Sequence, residues 1–240
     1  MIDAIAIAWK EWREVFGQRG MRGKQGIALF VVVFGIALPL ESGPAWITSP
    51  AVALAWSWVP MFMLTTVIAD AFAGERERHT HETLLASRLP DRAILFGKIG
   101  AAIGYAGLLT VVSLLLGVVA VNLANRHGGL LLYPLPILLA MCVMGLLGAV
   151  FVAAVGVLIS LRAATVRQAQ QTLGGVIMVL LLLPMAAVRL APPAWKQSLS
   201  AHAVNPALLG MLVIVALAAL DAGVVSLAMT RFRRSQLIAE

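Results

Sequence analysis

Residues 134–162 read PLPILLAMCVMGLLGAVFVAAVGVLISLR, and no charged side chain occurs between Pro134 and Leu161. A helix needs about 20 consecutive apolar residues to cross the hydrocarbon core of a bilayer, so this stretch reads as a membrane span. Arg162 and Arg167 follow it closely, whereas the nearest basic residue ahead of it is Arg126. The same asymmetry recurs along the chain. Apolar segments fall at 26–41, 51–73, 98–121, 134–159, 173–190 and 207–229. Fifteen of the eighteen Lys and Arg residues lie in alternate gaps. Lys10, Arg13, Arg19, Arg22 and Lys24 precede the first segment, and Arg76, Arg78, Arg88, Arg92 and Lys98 follow the second. Arg162 and Arg167 follow the fourth, and Arg231, Arg233 and Arg234 follow the sixth. Only Arg126, Arg189 and Lys196 are left for the other gaps. Cytoplasmic loops keep Lys and Arg, so six spans with both termini in the cytoplasm are expected.

Composition agrees with a membrane protein. The chain is 61% hydrophobic and 12% charged, where soluble domains carry about 25% charged residues. The net charge of +7 sits beside membrane segments. It therefore suits anionic lipid headgroups and a polar cytoplasmic partner rather than nucleic acid. Cys142 is the single cysteine and lies inside the fourth segment. It can form neither an internal disulfide nor a cysteine metal cluster. Trp9-Lys10-Glu11-Trp12-Arg13-Glu14 interrupts the start of the chain, so no cleavable signal peptide is expected. Spans and loops account for almost the whole length, leaving no expected soluble domain.

Ile5, Trp9, Trp12 and Phe16 share one face of an N-terminal helix by their spacing. Lys10, Glu11, Arg13 and Glu14 occupy the other face. Tryptophans opposite charge, ahead of a span, favour the headgroup boundary. Residues 1–25 are therefore expected to form an interfacial helix and linker, broken by Gly17, Gly20, Gly23 and Gly26, and residues 26–240 a transmembrane domain. The first apolar run, Ile27 to Leu40, is short, and its helix would extend through Lys24 and Gln25 by snorkelling. Glu41-Ser42-Gly43-Pro44 follows, and Trp46 resembles an interface anchor. Pro60 and Pro184 fall inside spans two and five and are expected to kink them. Gly97, Gly100, Gly104 and Gly107 line one face of span three, and Gly145, Gly148 and Gly156 one face of span four. Such faces let helix backbones approach closely in lipid. The 191–206 gap, with Pro192, Pro193 and Trp195, reads as a short external interfacial element.

No catalytic set is legible. Gly97-Lys98 fails as a phosphate-binding loop, because Ile99 stands where Ser or Thr is needed and Arg92 where the leading Gly belongs. His79-Thr80-His81 would splay apart on a helix with no third metal ligand in evidence. The span methionines, Met61 and Met63 among them, read as apolar packing. Neither a metal site nor a cofactor is expected in this chain.

The most informative segment follows span two: Phe72-Ala73-Gly74-Glu75-Arg76-Glu77-Arg78-His79-Thr80-His81-Glu82-Thr83-Leu84-Leu85, continuing through Arg88-Leu89-Pro90-Asp91-Arg92-Ala93-Ile94 to Gly97-Lys98. It resembles the cytoplasmic loop of ABC-2-type transporter permeases, whose pattern is close to GERE-x-GT-x-E-x-LL … SR-x-x-I-x-x-GK. Glu75, Arg76, Glu77, Arg78, Thr80, Glu82, Leu84, Leu85, Arg92 and Lys98 fall within the matching segment, while His79 and His81 depart from the pattern. Arg162 and Arg167-Gln168-Ala169-Gln170 are similar to a second family turn, and Lys10-Glu11 to its N-terminal helix. The resemblance covers the chain and implies an all-α polytopic membrane subunit of an ATP-driven exporter. It would have six transmembrane helices, the N-terminal amphipathic helix and a cytoplasmic coupling helix between spans two and three. It further implies a second permease subunit, identical or different, and separate ABC ATPase subunits holding ATP and Mg. Those subunits would contact loops 74–98 and 160–172 through the residues just named. The implied location is a prokaryotic plasma membrane, the inner one where there are two.

Read physically, Leu84, Leu85 and Leu89 form an apolar patch among charges, suited either to docking in a partner's groove or to a solvated loop with internal charge pairs. Pro90-Asp91 marks the start of a second helix running into span three. In span six, Asp221 lies nine residues before Thr230. That is about 14 Å at 1.5 Å per residue, near the middle of a core about 30 Å thick. A central carboxylate costs at least about 2.5 kcal/mol unless satisfied. Asp221 thus either holds span six to its neighbours or marks a polar point on a pathway. The residues also admit an ATPase-coupled transmitter that moves no solute. A secondary transporter would require more intramembrane charge or broken helices in related halves.

Overall fold

The computed structural model describes residues 2–17, 21–50, 52, 58–77, 90–125, 129–190, 192 and 206–232. These are helices and short connections, with no strand among the described residues. In order they are α1 (Ile2–Gly17), α2 (Met21–Val32), α3 (Leu38–Ser42), α4 (Ala45–Thr48), α5 (Val59–Ala69), α6 (Glu75–Glu77), α7 (Asp91–Ala124), α8 (Leu135–Ser160), α9 (Val166–Leu190) and α10 (Pro206–Arg231). A π-turn at Val33–Ala37 joins α2 to α3, and another at Asp70–Gly74 joins α5 to α6.

Among the described residues, four helical stretches are long and apolar enough to cross a bilayer: Gln25–Ser42, Asp91–Ala124, Leu135–Ser160 and Gly210–Arg231. Met61–Gly74 is a shorter apolar helix in the region expected for span two. The 25 residues of α9 cover the fifth segment. The chain is an all-α polytopic membrane protein. Several of its polar span residues are satisfied within their own helix, as lipid favours. The hydroxyls of Thr65 and Thr66 donate to the carbonyls of Phe62 and Met63, and Ser226 donates to Ala222.

Local structure departs from the sequence expectation in three places, at Gly23 and Gly26, at Pro60 and at Trp46. Gly23 and Gly26 lie inside α2 rather than ending a helix. A helical glycine costs about 1 kcal/mol relative to alanine, less than exposing backbone next to lipid. Pro60 sits in the first turn of α5, where a missing N–H is harmless. The helix α9 continues through Pro184 without a break. Trp46 is buried against α7 rather than turned outward, packing with Ile47 and Val121.

The first span takes its shape from Pro39. Ahead of it the helix widens, and the Leu38 N–H donates to the Val33 carbonyl five residues back. This bulge sets Gly35 against α7, where a Cβ would lie 3.1 Å from Leu116 Cβ and 3.4 Å from the Ser113 Cα. The chain then reverses at Gly43, whose φ of +58° and ψ of −142° suit glycine alone. At this end of the bundle, Asn122 clamps the incoming strand of loop. Its Nδ2 donates to the Leu131 carbonyl and its Oδ1 accepts from the Leu131 N–H, both at 2.8 Å.

The core runs between α5, α7 and α8, with Leu64, Ile68, Ile94, Leu95, Tyr105, Val152 and Val157 almost wholly buried. The glycines of α8 permit this. A Cβ on Gly156 would lie 2.5 Å from Ile68 Cγ2 and 3.1 Å from Leu173 Cδ2, and one on Gly148 would overlap Met61 Cε. On α7, a Cβ at Gly104 would lie 3.2 Å from Trp12 Cζ2, whereas one at Gly100 or Gly107 would meet nothing within 4 Å. The glycine stripe of span three therefore packs α1 on one side only. The long helix α10 packs on α8 through Ile214, Leu217, Asp221, Val224 and Ala228, its remaining sides being largely exposed apolar surface.

Candidate coupling site

The helix α7 begins at Asp91, directly after Pro90, and runs 34 residues. At 1.5 Å per residue it is about 51 Å long, well beyond a core of about 30 Å. Its first turns therefore project from the bilayer on the side that carries most of the basic residues. Lys98 lies on this part, with only 1% of its surface exposed.

Three oxygens surround the Lys98 ammonium. It donates to the Ala71 carbonyl at 2.6 Å, and pairs with Glu75 Oε1 at 2.7 Å and Glu11 Oε1 at 3.1 Å. The Phe72 ring centroid is 5.4 Å away. An ammonium has three donors, and a buried charge is tolerated only when paired and hydrogen-bonded. The π-turn Asp70–Gly74 presents the Ala71 carbonyl, α6 supplies Glu75 and α1 supplies Glu11. One lysine thus ties the N-terminal helix to the end of span two and the start of span three. Trp12 reinforces the seam, its indole N–H donating to the Ala101 carbonyl at 3.0 Å. Phe232, just past α10, meets Phe72 edge-on at 5.8 Å, bringing the end of span six to the same place.

Glu77 turns the other way. Its Oε2 accepts the Val166 N–H at 3.0 Å, across 89 residues of sequence. Val166 is the first residue of α9, so this carboxylate caps an orphan donor at a helix N-terminus, where negative charge is favoured. The same turn carries its own capping pair. Thr165 Oγ1 accepts the Gln168 N–H at 3.2 Å, and Gln168 Oε1 accepts the Ala164 N–H at 2.9 Å. Beneath it, Ala69, Ala73, Ala163 and Ala169 close a small buried cluster. Gly74 leaves room here, since a Cβ would lie 2.6 Å from Asp70 Oδ1 and would displace that carboxylate, while meeting Val166 Cγ2 at an ordinary 3.5 Å.

The structure therefore brings together Glu75, Glu77 and Lys98 of the sequence candidates. Arg92, Arg162 and Arg167 are exposed on the same end without joining the junction. Arg78, Thr80, Glu82, Leu84 and Leu85, with His79 and His81, lie outside the described residues, as does the side chain of Arg76. The 193–205 stretch of the external gap is also outside them. Glu11 is the residue that sequence reading misplaced. It is 7% exposed, not on a solvated face, while Ile5 and Trp9 are 66% exposed. The spacing Ala4, Ile7, Ala8, Glu11 could have shown a second, weaker stripe opposite the tryptophans. No group of three or more His, Cys, Asp or Glu suited to a metal occurs among the described residues.

Asp221 lies apart from this junction. It is 5% exposed, in the middle of the α10 face that packs on α8, and its carboxylate oxygens have no hydrogen-bond partner among the described residues.

A family model described as ABC-2 family transporter protein matches residues 56–211, more than half of the chain. The match takes in most of span two, spans three to five, both basic turns and all of the junction except Glu11, Trp12 and Phe232. No curated protein matches the chain.

Proposed function

The chain belongs to the ABC-2 family of transporter proteins, and from that premise we propose that it is an export permease driven by separate ATPase subunits. As a family member it is the membrane component of an ABC transporter. The finer reading has two copies, or this chain and a different permease, lining the pathway, with ATP and Mg held by ABC ATPases below. It sits in a prokaryotic plasma membrane with both termini and loops 74–98 and 160–172 in the cytoplasm, as the split of basic residues favours.

The observation that carries this reading is the Lys98 junction. A soluble subunit can move a membrane helix only through elements continuous with it. Loop 74–98 is continuous with span two through α6 and with span three through α7, and Glu75 and Lys98 close its two ends at 2.7 Å. A push that reaches either end of the loop is therefore passed to both spans and α1. Leu84 and Leu85 are the apolar residues proposed to dock, with Glu82 and Arg78 close to them in sequence.

Co-purification with the ATPase subunit tests the proposal. Leu85→Asp would bury a charge in the contact and should weaken assembly at least tenfold, about 1.4 kcal/mol or more. Glu82→Arg should have a smaller, salt-sensitive effect. The permease should remain folded in both. Wild-type assembly and ATP turnover in both variants would reject this loop as the coupling element and shift the role to the 162–171 turn.

A further inference from the structure

Two carboxylates separated by one residue leave span two in different directions. Glu75 pairs at 2.7 Å with the Lys98 ammonium, which also holds Glu11 at 3.1 Å, whereas Glu77 accepts the N–H of Val166 at the head of span five. On a helix, residues i and i+2 lie about 200° apart, so alternate acids can serve two neighbours at once. We infer that Glu77 is a positioning residue that makes the two cytoplasmic connections one mechanical unit, so that span five follows spans two and three. This rests on the ATPase-coupled reading above but assigns Glu77 a different task. It acts inside the permease, on the backbone of the second turn, instead of on the partner.

Three further observations support that role. The Ala69, Ala73, Ala163 and Ala169 cluster packs the second turn directly onto span two. Gly74 leaves room for both the Asp70 carboxylate and the Val166 side chain. The pair Thr165 and Gln168 satisfies neighbouring donors of the same helix end but leaves the Val166 N–H to Glu77. The acceptor for the Val166 N–H thus comes from a different span, which makes the cap a link between elements and not only a local stop signal. What the link requires is an acceptor oxygen at the right reach. Glutamine retains one, and alanine does not.

The test uses the full chain in nanodiscs, with Cys142→Ala as background and spin labels at Arg92→Cys on α7 and Gln171→Cys on α9, both exposed positions. Adding Glu77→Ala should broaden the distance distribution between the two helices. The displaced population should rise about three- to tenfold, the factor that loss of a helix cap carries. Glu77→Gln should restore the narrow distribution. In unlabelled complexes, Glu77→Ala should bind the ATPase as the wild type does, yet lower ATP turnover of the assembled complex by the same factor as the labels show the narrow-distance population to fall. Glu77→Gln should recover it. An unchanged distance distribution in Glu77→Ala, or wild-type turnover in its assembled complex, overturns the inference. The distance measurement needs no ATPase, so failure of the wild type to assemble with one would reject the proposed function while the labels still decide whether Glu77 joins the two turns.

Discussion

Lys98→Ala is expected to be the most damaging single substitution at the basic end of the bundle. It removes the counter-charge from Glu11, 7% exposed, and from Glu75, and strips a donor from the Ala71 carbonyl. Breaking a buried ion pair by deleting one partner costs about 3–5 kcal/mol, because the other charge stays behind in low dielectric. Thermal unfolding of the purified permease, read as the loss of monodisperse protein on heating, should shift down by many degrees, and α1 should become accessible to protease. Replacing the whole cluster by neutral groups of similar shape, Lys98→Met with Glu11→Gln and Glu75→Gln, should recover most of the loss. A Lys98→Ala protein with the wild-type melting profile would show that the junction carries no stability.

Gly156→Leu is expected to have a comparable effect on packing. A single methyl there already meets Ile68 Cγ2 at 2.5 Å and Leu173 Cδ2 at 3.1 Å, so three further carbons must drive α8 away from α5 and α9. Overpacking a filled core costs about 1–3 kcal/mol and sometimes more. Close packing is also one of the few forces that hold helices together in lipid. Gly100→Leu is the matched control, since nothing lies within 4 Å of a Cβ at that position. Folded yield and melting temperature should fall for Gly156→Leu and stay near wild type for Gly100→Leu. Equal behaviour of the two would mean that the approach of α8 to α5 does not depend on glycine.

The contrast between those glycines also shows what the sequence could reveal. Spacing alone identified Gly100 and Gly156 as members of small-residue faces, but spacing is blind to which side of a helix meets a neighbour. That depends on the bundle, as does the fate of Trp46, which has the composition of an interface anchor and the position of a core residue. Asp91 as a helix start was legible because Pro and Asp act through local backbone chemistry. Glu75, Glu77 and Lys98 were legible as a group from the motif they belong to, yet nothing in that motif says that one acid serves span three and the other span five. Glu11 was hidden by its neighbours. Among Lys10, Arg13 and Glu14 it looks like one more solvated charge, and only the lysine on a helix 87 positions later turns it inward.

The length of α7 has a mechanical consequence. Lys98 stands seven residues from Asp91 and 26 from Ala124, about 10 Å and 39 Å along the axis at 1.5 Å per residue. Clamped there on several sides, the helix is a lever with a short arm at the basic end of the bundle and a long arm through the membrane. A rigid tilt about that fulcrum turns a displacement of about 1 Å at Asp91 into about 4 Å at Ala124. The long arm ends where Trp46 rests over Gly117 and Asn122 grips the Leu131 backbone. A small stroke at the tip of the short arm would therefore be largest at that far seal.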